Sequence, residues 1–203
     1  MTGIIPVNLA VEDVLSEAVA RRLLASTNRD YEVGRCYMRH GKDYLHRLIA
    51  GFNNAAKGTP FLVLTDLDRD ECAPALIRSW LDEPLHANLL FRVAVKEVEA
   101  WLLADGKALS EYLSMSAGQI PADVDSIVDP KEFLIGLAAK SRRRDIREDI
   151  IPRQGSTAKQ GKNYNARLIA FVKDNWEPTR ARLRSQSLNR ALERLSGFNP
   201  SWT

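Results

Sequence analysis

"LVLTDLDRD", Leu62 to Asp70, is the stretch that decides the fold. With Pro60 and Phe61 ahead of it, the segment is an unbroken apolar run that ends in Asp66, Asp68 and Asp70. Such a run fits a strand buried on both faces, as in a parallel sheet. The carboxylates that close it have two readings. They can serve a turn into the next helix, or they can hold a metal ion.

Reading outward, strands and helices alternate. Ile4–Val11 reads as a strand with Ile5, Val7, Leu9 and Val11 on one face, and Pro6 belongs at its start or beside an edge because it lacks a ladder donor. Further strands are expected at Tyr31–Met38, Pro60–Asp66 and Asn88–Val95. Helices are expected at Ser16–Ala25, Asp43–Gly58, Pro74–Leu81 and Lys96–Asp105. Beyond Asp129 the strand signal stops. Helices follow from Pro130, over Tyr164–Asn175, Pro178–Arg184 and Leu188–Leu195, with a charged segment at Ser141–Asn163 that reads as a functional loop or as a short helix plus loop. The expected fold class is α/β: a mainly parallel four-stranded sheet flanked by helices over residues 1–128, with a C-terminal helical extension over 129–203.

The chain has 203 residues, enough for a sizeable core, and no apolar stretch approaches the roughly 20 residues of a membrane span. The N-terminus lacks a basic-then-apolar leader pattern, and Cys36 and Cys72 are too few for a disulfide scaffold, so a cytoplasmic setting is expected. Charge is divided unevenly. Residues 1–130 hold 13 Lys+Arg against 19 Asp+Glu, and residues 131–203 hold 16 against 7. A polyanion held near carboxylates fits that division; so do two ordinary solvated surfaces.

In a parallel sheet, ligands bind at the carboxyl ends of the strands. Glu12 follows the first strand, Asp66 and Asp68 the third, and Glu97 and Glu99 the fourth. Residues two apart in an extended segment point the same way, which would aim each pair together. Converging carboxylates repel one another unless a cation joins them, and Mg²⁺ or Mn²⁺ takes such hard oxygen donors. Two such ions can activate a water and stabilise a leaving oxygen in phosphodiester cleavage. Each acid also has a plain alternative as a helix-start or turn residue, as Asp13 and Ser16 do. His40, His46 and His86 are scattered and carry no zinc pattern, and Trp80, Trp101, Trp176 and Trp202 read as packing residues. Arg142, Arg143, Arg144, Arg147, Arg153, Lys159 and Lys162 form the basic segment best placed for phosphate contact, without a base-reading module. Arg180, Arg182 and Arg184 read as a solvated helix face.

"VEDVLSEAVARRLL" followed by "LVLTDLDRD" and "VKEVEAWLLAD" resembles the TOPRIM domain, and within it the nucleases of the overcoming-lysogenisation-defect type and their small stand-alone relatives in bacterial defence systems. Glu12 matches the TOPRIM Glu, Asp66 and Asp68 the Asp-x-Asp, and Glu97 and Glu99 the later acids. The resemblance implies a nuclease with one or two Mg²⁺ or Mn²⁺ ions on these five residues. It also implies an assisting lysine, Lys159 first and Lys162 second. Expected partners are nucleic acid, DNA ahead of RNA, and a separate ABC/SMC-like ATPase in an anti-phage system; no membrane is expected. The chain departs from the pattern in having Asp13 for the usual Gly, and Ser16 where relatives carry an acid. Two alternatives follow for the second metal: Glu17, next along, substitutes as a ligand, or one ion binds weakly. A catalytically inactive binding or regulatory module, and a phosphohydrolase with Asp66 as nucleophile, are the rival readings.

Overall fold

The computed structural model describes residues 3–39 and 41–202, so His40 lies outside the described residues. Four parallel strands, β1 (Ile5–Val11), β2 (Tyr31–Met38), β3 (Phe61–Asp66) and β4 (Leu89–Ala94), form one sheet in the order β2-β1-β3-β4. The connecting helices are α1 (Val14–Ala25), α2 (Lys42–Ala55) and α3 (Ala73–Trp80). Because every strand runs the same way, all four carboxyl ends open on one edge. Strand order changes direction between β1 and β3, where α1 leads out to one side and α2 returns to the other.

Alternation along β1 and β3 divides the core. Val7, Leu9, Val11, Leu62 and Leu64 face one apolar cluster with α1, while Ala10, Phe61 and Val63 face a second with α2 and α3. β3 is therefore buried on both faces, as its unbroken apolar run predicts. Pro6 sits in β1, a central strand. Pairing of β1 with β3 begins only at Asn8, so no β3 donor or acceptor lies opposite the missing N–H.

After β4 the chain is helical: α4 (Val98–Ala104), α5 (Gly106–Tyr112), α6 (Pro130–Ala139), α7 (Arg144–Ile150), α8 (Tyr164–Asp174), α9 (Pro178–Ala181) and α10 (Gln186–Ser196). Helix α5 is absent from the sequence expectation. Asp105 both ends α4 and caps α5 through Ala108 N, so one continuous apolar pattern hides a break. Trp101, Trp176, Tyr164, Phe171 and Phe198 are buried in the same cluster as β1 and α1, so the tail helices and the sheet share one core. Trp80 is partly buried, stacked on His46 and against Phe91. Trp202 departs from its expected packing role: it is 59% exposed near the chain end.

The segment after α7 returns against that helix. Gly161 N donates to Ile150 O (2.8 Å) and Asn163 N to Asp149 O (3.2 Å). A Cβ on Gly161 would lie 2.2 Å from Asp149 O and 2.6 Å from Ile150 C, both backbone atoms that cannot swing aside. Gly161→Ala is therefore expected to destabilise the protein by about 1–3 kcal/mol in urea unfolding, with protease sensitivity rising first between Arg153 and Lys162. Unchanged stability and cleavage pattern would refute the close approach.

A candidate carboxylate site at the sheet edge

Glu12 leaves β1 one residue past its end. Its Oε1 accepts from Asp66 N (2.9 Å) and from the Thr65 hydroxyl. The side chain thus stands where the β1–β3 ladder would place its next backbone acceptor. Asp66 ends β3, and its Oδ1 accepts from Val98 N (2.9 Å), the first residue of α4. Glu97 caps α4 in extended conformation, and its Oε2 accepts from Lys131 N (2.9 Å) in the first turn of α6. Glu99 is 4% exposed. Its Oε1 accepts from the Tyr164 hydroxyl of α8 (2.9 Å), with Lys131 Nζ at 3.9 Å.

Asp68 follows different geometry. Its φ of +53° lies in the left-handed region, so the segment is not extended there and Asp66 and Asp68 do not point together by strand alternation. Glu97 and Glu99 straddle the helix start, Glu97 held by Lys131 N of α6 and Glu99 by the Tyr164 hydroxyl of α8. The pairwise aim expected from spacing two assumed extended backbone, which neither pair keeps.

Electrostatics nevertheless join all five. Burial, with repulsion from Glu99, Glu12, Asp68 and Glu97, holds the Asp66 carboxyl well above the ordinary range. Burial first and Asp68 next raise Glu12; burial and Asp129 raise Glu97. Burial pushes Glu99 up to about 7, with Glu97 adding to the rise and Lys131 opposing it. These are acids that a nearby cation would let ionise. Four are tied down through one oxygen each, by donors that orient the carboxylate as outer partners orient metal ligands. Among the described residues, however, no three Asp, Glu, His or Cys side chains already stand together as a metal-holding group. The donor chemistry fits Mg²⁺ or Mn²⁺, while the carboxylates surround the edge without closing on one point.

Two lysines at this edge are invisible in a reading that follows only acids. Lys42 Nζ, at the start of α2, donates to Asp70 Oδ2 (2.6 Å), Asp68 Oδ2 (3.1 Å) and Leu67 O (3.1 Å). Lys131, at the start of α6, meets both Glu97 and Glu99 and lies 5.1 Å from the Tyr164 ring centroid. The signal for Lys42 was its place: α2 follows β2, so the lysine must fall on the same edge as the acids. Lys131 and Tyr164 have no comparable local signal.

A cleft of ≈ 560 Å³ opens beside the cluster. Asp68, Asp70, Glu97 and Asp129 line it, and so do Lys42, Arg69, Lys96 and Lys159. The structure thus brings Lys159 to the acids; Lys162 is exposed and lines none of the clefts described at this edge. Glu17 is not brought in. It pairs with Arg21 (2.9 Å) one helical turn on, a contact favoured by i,i+4 spacing. Asp13 caps α1 by accepting from Ser16 N (2.8 Å).

Part of the basic segment is engaged at home. Arg143 pairs with Asp145 (2.7 Å), Arg144 with Glu148 (2.6 Å), and Arg147 donates to Ser141 O. Arg142, Arg153, Lys159 and Lys162 have no ion pair among the described residues. The solvated-face reading of the other arginines is corrected. Arg180 grips Asp105, itself 1% exposed, at 2.7 and 2.6 Å; Arg184 donates to carbonyls at Ile120, Pro121 and Ala122. Compared with models of known protein families, with curated proteins and with solved structures, the chain matches none.

Proposed function

We propose that the chain is a metal-dependent nuclease that cleaves phosphodiesters at the carboxyl edge of its sheet. The observation that carries this reading is the gathering of Glu12, Asp66, Asp68, Glu97 and Glu99 from three strand ends, four of them raised in pKa by burial and by one another. These five residues would hold one or two Mg²⁺ or Mn²⁺ ions. When bound, such an ion would supply positive charge for the phosphoryl oxygens and lower the pKa of a water, so that the water can give up a proton to solvent and attack.

The chain's own groups do the rest. Thr65, Val98 N, Lys131 N and Tyr164 fix the four tethered carboxylates. Lys42 and Lys159 line the cleft beside them and can meet phosphate oxygens and the charge that develops on them. Arg142, Arg153 and Lys162 extend the contact along a polyanion without reading bases. DNA is the first substrate to test and RNA the second. The TOPRIM resemblance adds a separate ABC/SMC-like ATPase as partner in anti-phage defence, and the two lone cysteines fit a cytoplasmic setting. No described helix is long and apolar enough to cross a membrane.

The test is cleavage of plasmid DNA and of RNA with Mn²⁺, Mg²⁺ or chelator, with and without an ATPase encoded beside the gene. Cleavage that needs the metal supports the proposal; none with any metal or partner, together with an Asp66→Ala protein that behaves as wild type in cells, overturns it. The second reading, a non-catalytic docking module, draws on one observation: the carboxylates are not closed around a point.

Lys42 supplies a sharper expectation. Its ammonium competes with any cation for Asp68. Lys42→Met is expected to tighten Mn²⁺ binding several-fold by calorimetry while slowing cleavage, because charge lost at the cleft no longer aids phosphate. Unchanged Mn²⁺ binding in that variant would place Lys42 outside the metal's field, and weaker binding would contradict its competition for Asp68.

A further inference from the structure

We propose that the cleft on the outer side of β4, between α3 and α10, binds a small organic carboxylate with an apolar body. The cleft encloses ≈ 320 Å³, at the small end of the range for ligand pockets. Its walls are mostly apolar: Ile77 and Pro74 from α3, Val93 and Val95 from β4, and Ala191 from α10, over a floor made by Phe91. Two arginines are among its lining residues, Arg92 from β4 and Arg190 from α10.

Neither arginine is neutralised. Among the described residues neither takes part in an ion pair, and Arg92 Nε is buried without a hydrogen-bond partner. Burial and the neighbouring Arg194 push Arg92 down to about 10, and no carboxylate acts on it from the other direction. The one acid in the cleft, Asp125, is already occupied. It accepts from the Ser185 hydroxyl (2.7 Å), Ser187 N (3.1 Å) and, at 3.5 Å, the Ser187 hydroxyl. A buried donor left unpaired is costly, and a guanidinium fork matches a carboxylate. Apolar walls with an unpaired positive group therefore define a ligand that has both an apolar body and one negative end.

The sheet's free edge fits the same picture. Phe61 N donates to Asn88 O and Leu67 N to Ala94 O, so the even residues of β4 turn their backbone groups to β3 and the odd ones face outward. Val95 N finds the Ser187 hydroxyl (3.4 Å) and Leu89 N finds His86 O (2.9 Å). The outward groups of Phe91 and Val93 lie between them, along the cleft.

The experiment titrates the full chain with octanoate and phenylacetate, each against its neutral amide, by calorimetry and thermal shift. Expected is saturable 1:1 binding of at least one carboxylate, tenfold or more tighter than its amide. Arg190→Gln should weaken it at least fivefold, with Arg35→Gln, exposed on β2 at the opposite edge of the sheet, unchanged as a surface control. Arg190 is exposed, so its variant tests the site even if Arg92→Gln fails to fold. Absence of binding by both acids overturns the proposal. So does equal binding of acid and amide, or an Arg190→Gln protein with wild-type affinity. None of these outcomes depends on nuclease activity, so failure here leaves the carboxylate edge untouched.

Discussion

Asp66→Asn is expected to cut metal-dependent cleavage by ~10²–10³-fold while making the metal-free protein more stable. The two effects have one cause. Asp66 stands amid Glu12, Asp68, Glu97 and Glu99, which together with burial raise its pKa. An amide removes a repelled charge yet keeps an oxygen for Val98 N. The gain should be about 1–3 kcal/mol at pH 8, read as a higher urea midpoint with chelator present. Added Mn²⁺ should then stabilise wild type and leave the variant nearly unmoved. A variant that loses both stability and activity would instead mark Asp66 as a structural acceptor. One that keeps activity would remove it from the chemistry.

The second large effect is on pH. Glu12, Asp66, Glu97 and Glu99 all have folded-state pKa values above their ordinary ones. The folded chain then holds these protons more tightly than the unfolded chain does. Their contribution to stability is full below the ordinary carboxylate range and is lost as pH rises, through about 7 for Glu99. Asp145 and Asp149 work oppositely, because Arg143, Asn163 and Arg167 lower them. Both lie outside the cluster, and they matter only in more acidic solution. Metal-free protein should therefore lose about 2 kcal/mol or more between pH 5.5 and 8, and saturating Mn²⁺ should flatten the slope. A flat profile without metal would mean that the carboxylates do not press on one another.

How much of this could be read in the sequence follows from where each signal lives. The strands were legible because their apolar periodicity is local, and Glu12, Asp66 and Glu97 because a parallel sheet sends every strand end to one edge. Helix α5 was hidden because Asp105 acts as cap and break within one apolar run. Glu17 misled because proximity to Glu12 along the chain said nothing of the helix face, where Arg21 is its neighbour. The arginine clusters misled in the same way. Glu148 waits one turn from Arg144, and Asp105 reaches Arg180 from far along the chain. Lys131 and Tyr164 could not be found at all, since their meeting with Glu97 and Glu99 depends on how α6 and α8 pack on α4. Charge and type are written in the sequence; partnership at long range is decided by packing.

The most direct measurement is a crystal soaked in Mn²⁺ and measured at a wavelength where manganese scatters anomalously. A peak bonded to Asp66 and at least one of Glu12, Asp68, Glu97 or Glu99 is the expected result, with the carboxylates turned inward from the positions seen here. A map with no anomalous peak at this edge under saturating Mn²⁺, and with Lys42 still joined to Asp68 and Asp70, would contradict the metal-site reading.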